Sequence, residues 1–324
     1  MLPDKRLSLW RLALSSLERN IPVLLLYVVE SKGSSPGRAG FFMVVNAAVE
    51  REGSIGGGIM EHKFTEMARD VLREGGDIVS LRRQVHDKEV VRDQSGMICS
   101  GEQTIFLYRL GVGDKGAVEQ VILSLEQYGN GCLRLSPVGI GFSAVAPAEN
   151  FYFEKRSEQD WIYLEKTGFI DRVFIIGGGH CALALSRIMR TMDFYITLFD
   201  DRSGLESVNR NEYAHAKVLV DGYDELGKWI RGGEHHYVAV MTQGYRTDDQ
   251  AVRTLLPMDF RYFGLLGSKT KIEKMLTDYR KEGISEERLS RMRAPAGLSI
   301  QSQTPEEIAI SIAAEIIQFK HGVL

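Results

Sequence analysis

The chain has 324 residues, of which 44% are hydrophobic and 26% are charged, and its formal net charge is -3. This length exceeds what one ordinary hydrophobic core fills, so the sequence predicts a globular protein of two domains. A slightly acidic chain with a pI of about 6.2 has no electrostatic footprint for nucleic acid or for an anionic membrane, so a bound anion would have to be held by local geometry.

The N-terminus predicts a packed helix. Within residues 1–20, apolar side chains recur at helical spacing, at Leu7, Trp10, Leu14 and Leu17. Arg11 interrupts the stretch, which excludes a signal peptide, and no other apolar run approaches the roughly 20 residues of a membrane span. Such a helix would pack on its own domain or against a second copy in a homodimer.

The three cysteines indicate a reduced, cytoplasmic protein. Cys99, Cys132 and Cys181 lie far apart and form neither a disulfide framework nor a metal-binding spacing. The pair His235-His236 also lacks the spacing of a helical metal site.

Residues 1–150 predict an α+β domain. Strand-like and helical segments are mixed here without strict alternation. The predicted strands are Val23–Val29, Phe41–Val45, Gln103–Tyr108 and Leu133–Pro137, and the predicted helices are Ile59–Leu72 and Gly116–Tyr128. Residues 150–171 predict a short hairpin that connects this domain to the next.

Residues 151–324 predict a parallel α/β domain. From Arg172 onward, short apolar runs alternate with helical segments, which is typical of a parallel sheet with helices on both faces. The predicted strands are Val173–Ile176, Tyr195–Phe199, Lys217–Val220, His236–Met241 and Tyr262–Leu266. A final helix is marked by Thr304 as N-cap, Pro305 in the first turn and Glu307 completing a capping box.

The strongest motif is a glycine turn between the first strand and first helix of this second domain. Gly177-Gly178-Gly179-His180-Cys181-Ala182 has the G-x-G-x-x-A pattern of a dinucleotide-binding turn. Gly177 permits the tight turn, Gly179 lets a pyrophosphate approach, and the helix N-terminus offers N–H donors. The next strand ends in Asp200-Asp201-Arg202, where an acid would accept ribose hydroxyls. The alternative is a glycine turn required only for packing.

A second strand-to-helix junction lies at Gly267-Ser268, with Ser268 as a candidate N-cap. Lys269 and Lys271 follow in the first turn, where cations oppose the helix dipole. An anion above the junction would explain them, and a solvated basic face is the alternative.

The first domain has two further glycine loops, one at residues 33–38 and one at residues 54–58. Glu61 follows the second loop in the first turn of a helix, where backbone N–H groups can hold an oxyanion. Ordinary turns are the alternative. Cys99 lies between Gly96 and Gly101, where a flexible turn would expose a thiolate, although a small buried side chain is the alternative.

Together these pieces resemble the XdhC/CoxI family, accessory proteins that serve molybdenum-cofactor enzymes such as xanthine dehydrogenase. The matching segments run through nearly the whole chain, at residues 31–36, 56–61, 96–99, 176–180, 199–202, 264–268 and 304–309. The resemblance implies an N-terminal XdhC/CoxI domain followed by a Rossmann domain.

The resemblance also implies a function. The protein would bind the molybdenum cofactor, as molybdopterin or its dinucleotide form, protect it while a cysteine desulfurase adds sulfur, and deliver it to a molybdenum hydroxylase apo-enzyme. Cys99 matches the family cysteine and would contact sulfur or molybdenum. The implied cofactor-binding residues are Ser34, Gly57, Gly58, Glu61, Gly177, Gly178, Gly179, His180, Asp200, Arg202, Gly267 and Ser268.

The chain departs from the family pattern at three places. Ser100-Gly101 replaces two glycines after the cysteine, and residues 300–302 replace a glycine-rich segment. The family pattern Thr-His-x-x-x-x-Asp is represented by Thr242, Gln243 and Asp248, so its histidine is missing.

Two other classes of function are compatible with the sequence. An NAD(P)-dependent oxidoreductase would use Asp200 for NAD or Arg202 for a 2′-phosphate, although the sequence offers no acid–base pair for hydride transfer. A nucleotide-responsive interaction protein would need only the glycine turn. An accessory protein that turns over no substrate of its own is the interpretation that the motifs favour.

Overall fold

A computed structural model describes residues 5–76, 78–85 and 101–322. It divides the chain into two compact units that meet in sequence between Gly168 and Phe169. The predicted boundary at residue 150 therefore moves to the end of the hairpin, because the hairpin pairs with strands of the first unit.

The N-terminal unit mixes helices with antiparallel strands, as predicted. Its helices are α1 (Lys5–Glu18), α2 (Gly58–Glu74) and α3 (Lys115–Glu126), with a 3-10 turn at Val112–Asp114. Its strands are β1 (Val23–Gly33), β2 (Phe42–Asn46), β3 (Arg51–Gly53), β4 (Val79–Val85), β5 (Gly101–Leu110), β6 (Gly131–Ser136), β7 (Gly139–Ser143), β8 (Phe151–Lys155) and β9 (Trp161–Thr167).

Among the described residues, β1 is the centre of a five-stranded sheet with the order β3-β2-β1-β5-β4. Both faces of β1 are covered, which explains its continuous apolar run. Leu25 and Tyr27 pack in one core cluster with α1 and α3, whereas Leu24 and Leu26 pack in another with α2. The apolar face of α1, including Leu7 and Trp10, is therefore buried within its own unit.

A buried carboxylate fixes the second sheet, whose order is β7-β6-β9-β8. Glu165 on β9 has a fully buried side chain and accepts hydrogen bonds from Tyr27 Oη at 2.5 Å and Tyr163 Oη at 2.8 Å. Arg6 Nη1 lies 2.5 Å from its other oxygen. Paired in this way, the charge joins α1, β1 and β9 in one hydrogen-bonded cluster.

The C-terminal unit is a parallel α/β domain. Its strands are β10 (Arg172–Ile176), β11 (Tyr195–Asp200), β12 (Ala216–Leu219), β13 (Gly233–Val240), β14 (Phe260–Leu265) and β15 (Met292–Arg293). Its helices are α4 (His180–Arg190), α5 (Glu206–Asn209), α6 (Tyr245–Leu255), α7 (Lys269–Lys281), α8 (Glu286–Leu289) and α9 (Pro305–Lys320), with a 3-10 helix at Tyr223–Lys228.

The strands of this unit form one parallel sheet in the described part of the chain, with the order β12-β11-β10-β13-β14-β15. Counted from β10, this is the order 3-2-1-4-5-6 of a Rossmann sheet. Each face packs against helices in its own core cluster. The predicted Rossmann-like fold is confirmed.

The final helix begins as predicted. Thr304 Oγ1 accepts a hydrogen bond from Glu307 N at 3.2 Å, and Glu307 Oε2 accepts one from Thr304 N at 3.1 Å. Hydrogen bonds from the N–H groups of Gln303 and Thr304 lower the pKa of Glu307. Ile312 and Ile316 are fully buried on the inner face of the helix.

His215 is held neutral beside β11. Its Nδ1 accepts a hydrogen bond from Ile196 N at 2.9 Å, and its ring contacts Phe169 and Tyr195 with centroids 4.6 and 4.8 Å away. Burial, with a smaller contribution from the charge of Arg190, lowers the pKa of His215 from 6.5 to about 3. The folded unit therefore excludes a proton that the unfolded chain binds below its ordinary pKa.

We expect this histidine to make the C-terminal unit less stable in acid. Its stabilising contribution is complete above the unfolded pKa of 6.5 and is lost as the pH falls from there towards about 3. Between about pH 7 and about pH 4.5 the free energy of unfolding should fall by roughly 1 kcal/mol from this group, after discounting for its partial exposure. Urea unfolding of His215→Asn, which retains an acceptor, should show a weaker pH dependence. His62→Asn, at an exposed position, is the control, and an unchanged dependence in His215→Asn would contradict the assignment.

Candidate functional site

Gly177 ends β10 in a conformation that only glycine adopts readily. Its φ is 101°, and its N–H donates to Phe199 O at 2.8 Å. A Cβ built on Gly177 would lie 2.5 Å from Met241 O and 2.8 Å from Thr242 Cα. Both the backbone conformation and the close approach of the β13 end therefore require glycine.

The next two glycines differ in their surroundings. Gly178 is buried, and a Cβ there would lie 2.2 Å from Val208 Cγ2. Gly179 is the N-cap of α4 with a φ of -69°, and a Cβ there would meet no other heavy atom within 4 Å. No side chain caps the first turn of α4, and His180 at its start is exposed. The open part of the turn is therefore the Gly179 side, where the helix presents N–H donors.

Asp200 is bound by its own chain. Its carboxylate accepts hydrogen bonds from Gly178 N at 2.6 Å and from the Arg202 N, Nε and Nη2 at 2.9, 2.9 and 2.8 Å. Burial by itself raises the pKa of Asp200, but the hydrogen bonds from Arg202 and Gly178 outweigh it, so the pKa lies below its usual value. The structure thus joins Gly178, Asp200 and Arg202 into one unit.

Gln243 connects the end of β13 to the end of β11. Arg202 Nη1 donates to Gln243 Oε1 at 3.1 Å, and both side chains lie at the carboxyl edge of the sheet. β10 lies between these two strands. Ligands of open α/β sheets bind at this edge, where the strand order reverses, so Gln243 stands at the crevice in the place of the family histidine.

The threonine and aspartate of the family pattern form a buried network instead. Asp248 has no exposed surface and accepts hydrogen bonds from Thr242 N at 3.1 Å and Thr242 Oγ1 at 2.6 Å. Lys271 Nζ forms an ion pair with Asp248 and donates to Leu266 O at 3.0 Å. The anion that offsets Lys271 is therefore a side chain of this protein, and Lys271 does not require an external anion.

The junction at Gly267 and Ser268 adjoins this network. Ser268 is the N-cap of α7 and accepts a hydrogen bond from Lys271 N at 3.3 Å, as predicted. A Cβ on Gly267 would lie 2.3 Å from Lys271 Cε. Gly267 is thus needed for the Lys271 side chain to fold back towards Asp248.

Three glycine-containing motifs of the N-terminal unit meet in space. A Cβ on Gly101 would lie 2.6 Å from Ser35 N, and one on Gly37 would lie 2.3 Å from Ile55 O. Gln103, which is 3% exposed, accepts from Ser35 Oγ at 2.9 Å and from Gly37 N at 3.2 Å. The motifs scattered in sequence are therefore one backbone cluster, with Gln103 as its hydrogen-bonding centre.

Glu61 occupies the donors of the Gly56–Gly58 loop. Its Oε2 accepts hydrogen bonds from Ser54 Oγ at 2.5 Å, Ile55 N at 3.2 Å and Gly57 N at 3.0 Å. Gly58 begins α2, and Ser34 is exposed on the neighbouring loop. The oxyanion that this loop holds in the structure is thus its own carboxylate.

The cysteines differ in what the structure says of them. Cys99, with residues 86–100, lies outside the described residues. Cys132 and Cys181 are free and half-buried, and burial raises the pKa of both thiols. A raised pKa makes a thiol a weaker nucleophile at neutral pH.

The described residues, 5–76, 78–85 and 101–322, contain no group of three or more His, Cys, Asp or Glu arranged to hold a metal ion. No helix in this part of the chain is long and apolar enough to cross a membrane.

Sequence reasoning did not assign Gln103, Asp248 or Lys271 to a site cluster. For Asp248, the signal was the spacing from Thr242, which places both residues across the first turn of one helix. For Gln103 there was no local signal, because its partners come from two distant loops.

Comparison with known proteins supplies a family for these units. The description "XdhC Rossmann domain" matches residues 173–316, and "XdhC and CoxI family" matches residues 16–83. An uncharacterized protein of Escherichia coli strain K12, YqeB, is 24% identical over 308 residues, which are 94% of this chain and 45% of that protein. A probable subunit of the xanthine dehydrogenase of Bacillus subtilis strain 168 is 34% identical over 153 residues, 47% of this chain and 44% of that protein.

The match thus spans less than half the length of either curated relative. A crystal structure of a xanthine dehydrogenase from Bacillus halodurans superposes with a TM-score of 0.72 over 97% of this chain and 96% of that chain. At 22% sequence identity this likeness concerns the fold.

Proposed function

Because the chain belongs to the XdhC and CoxI family, we propose that it is an accessory protein in the maturation of a xanthine dehydrogenase-type molybdenum hydroxylase. In this role it binds the molybdenum cofactor, holds it while a cysteine desulfurase provides sulfur, and passes it to the apo-enzyme. The relative from Bacillus subtilis, which is a probable component of a xanthine dehydrogenase, supports the choice of target enzyme.

The observation that carries the proposal is the open turn at Gly179. The space beside Gly179 and the uncapped first turn of α4 fit a phosphate, which is the anionic part of the pterin cofactor. The N–H groups of this turn would hold that phosphate, and Arg202 would lie beside it. When bound, the cofactor supplies the metal and sulfur chemistry of the target enzyme, and this chain supplies the grip and the shelter.

The N-terminal unit is proposed to contribute the sulfur side of the function. Ser34 is exposed, and Gly101 packs on its loop. Cys99, two residues before Gly101, stays the candidate for contact with sulfur or molybdenum. Gly57, Gly58 and Glu61 support the proposal as a preformed loop, since the hydrogen bonds to Glu61 already fix its shape.

Gly179→Ala should weaken cofactor retention without unfolding the protein. The added methyl group meets no neighbour in the structure, so the free energy of unfolding should change by at most about 1 kcal/mol, chiefly from the poorer N-cap. The same methyl group occupies the space proposed for the phosphate, so retention should fall at least about tenfold. The measurement is molybdopterin per mole of protein purified from a cofactor-producing host, by fluorescence after oxidation.

The exposed glycine Gly204, which has nothing within 4 Å of a built Cβ but a φ of 76°, is a poor control, so Gly244→Ala, in an equally open N-cap position on α6, is used. Full retention in Gly179→Ala, or no pterin in the wild-type protein, would refute the proposal.

An NAD(P)-dependent oxidoreductase is the second candidate. The 3-2-1-4-5-6 strand order and the acidic residue at the end of β11 favour it. The four hydrogen bonds that Asp200 already accepts count against it. Titration with NADH, followed by fluorescence quenching, separates the two candidates.

A further inference from the structure

The acceptor that a ribose would need at this site is already saturated. A carboxylate has about four lone-pair sites, and Asp200 accepts four N–H hydrogen bonds, one from Gly178 and three from Arg202. Asp200 is also only 3% exposed. In Rossmann domains that bind NAD, an acid at this strand end accepts the ribose hydroxyls. A ribose diol placed here finds no free carboxylate oxygen.

Arg202 presents donors at the same position. Of about five N–H groups on a guanidinium, two bind Asp200 and one binds Gln243. The remaining two have no partner among the described residues, and the side chain is 33% exposed. A guanidinium with free N–H groups binds phosphate oxygens in charge-assisted hydrogen bonds.

The backbone around Arg202 holds it in place. Its own N–H is bound to Asp200, and Gln243 holds the guanidinium from the end of β13. Since β10 lies between β11 and β13, this bridge adjoins the glycine turn. The position beside the open N-terminus of α4 is therefore cationic and preorganised before any ligand arrives.

We infer that Arg202 is a specificity-determining residue that makes this crevice select a terminal phosphate monoester over a ribose diol. The inference rests on the proposed function and deepens it: the bound pterin is the monophosphate form rather than the dinucleotide form. A 2′-phosphate of NADP has the same chemistry as a pterin monophosphate, so the test must separate these two sources.

The test identifies the ligand retained by the full chain. Wild-type protein, Arg202→Gln, Arg202→Lys and the control Arg210→Gln are purified from a host that makes both pterin forms, and extracted ligands are quantified by mass spectrometry. Arg210 is a suitable control because its side chain is 70% exposed and pairs only with Glu206 four residues earlier among the described contacts. Thermal unfolding verifies that each variant is folded.

We expect the monophosphate pterin to exceed the dinucleotide form by at least about tenfold in the wild type. Arg202→Gln should lower its retention by about tenfold, Arg202→Lys by less, and Arg210→Gln not at all. A direct titration with NADPH and NADH, which differ by one 2′-phosphate, should give tighter binding of NADPH by at least about tenfold, lost in Arg202→Gln.

The outcomes separate the two levels of the argument. Equal or preferred retention of the dinucleotide pterin overturns the inference and leaves the proposed function standing. Retention of NADP that depends on Arg202 supports the selectivity and overturns the proposed function. Retention of NAD, or equal binding of NADH and NADPH in the titration, overturns the selectivity whatever pterin is found.

Discussion

Gly177→Ala is expected to destabilise the C-terminal unit by roughly 3 kcal/mol or more, the sum of a strained backbone and an overpacked contact. Gly177 has a φ of 101°, and an added Cβ would lie 2.5 Å from Met241 O. Because the opposing atom belongs to the backbone of the β13 end, no rotation of a side chain relieves the contact. The strands β10 and β13, which form the centre of the sheet, would have to separate.

The measurement is urea-induced unfolding of the purified variant, compared with Gly179→Ala two residues later. The two substitutions add the same methyl group to the same turn, but Gly179 has open space around it. Gly177→Ala should therefore lose stability and ligand together, whereas Gly179→Ala should lose ligand alone. If both variants unfolded at the same urea concentration, the close approach of Met241 and Gly177 would be disproved.

Asp248→Ala is expected to cost about 3–5 kcal/mol, as is usual when one partner of a buried ion pair is removed. Asp248 has no exposed surface, and its loss would leave the Lys271 ammonium with Leu266 O and without a counter-charge. Thr242 N would lose its acceptor as well. The strand ends that form the crevice depend on this network, so ligand retention should fall with stability.

The companion variants locate the cause of the loss. Asp248→Asn retains an acceptor for Thr242 but no charge and should be intermediate, and the double variant Asp248→Ala/Lys271→Met should recover part of the stability of Asp248→Ala. Asp259→Ala removes a carboxylate from an exposed pair with Arg291 and should change the free energy of unfolding by less than about 1 kcal/mol. A double variant no more stable than Asp248→Ala would show that the unpaired lysine is not the cause.

The elements with strong periodicity were predictable and are confirmed. The strands from β10 to β14 and the capped helix α9 lie close to their predicted positions. Short strands with weak signals, such as β3, β7 and β15, were not predicted, because two to five residues carry too little pattern to distinguish a strand from a loop. The hairpin of β8 and β9 was predicted, but not its pairing with β6, since antiparallel partners are chosen by tertiary contacts.

The candidate site divides in the same way. The sequence alone determined the glycine turn, the Ser268 N-cap and the family, because these depend on residue types at short, fixed spacings along one strand and one helix. Only the tertiary structure decided what the charged groups contact: Asp200 with Arg202, Lys271 with Asp248, and Glu61 with the loop at Gly57. Charges at strand ends and helix starts have several partners within reach, and the packing of neighbouring elements selects among them. That selection turned an expected ribose acceptor into a saturated carboxylate beside an exposed guanidinium.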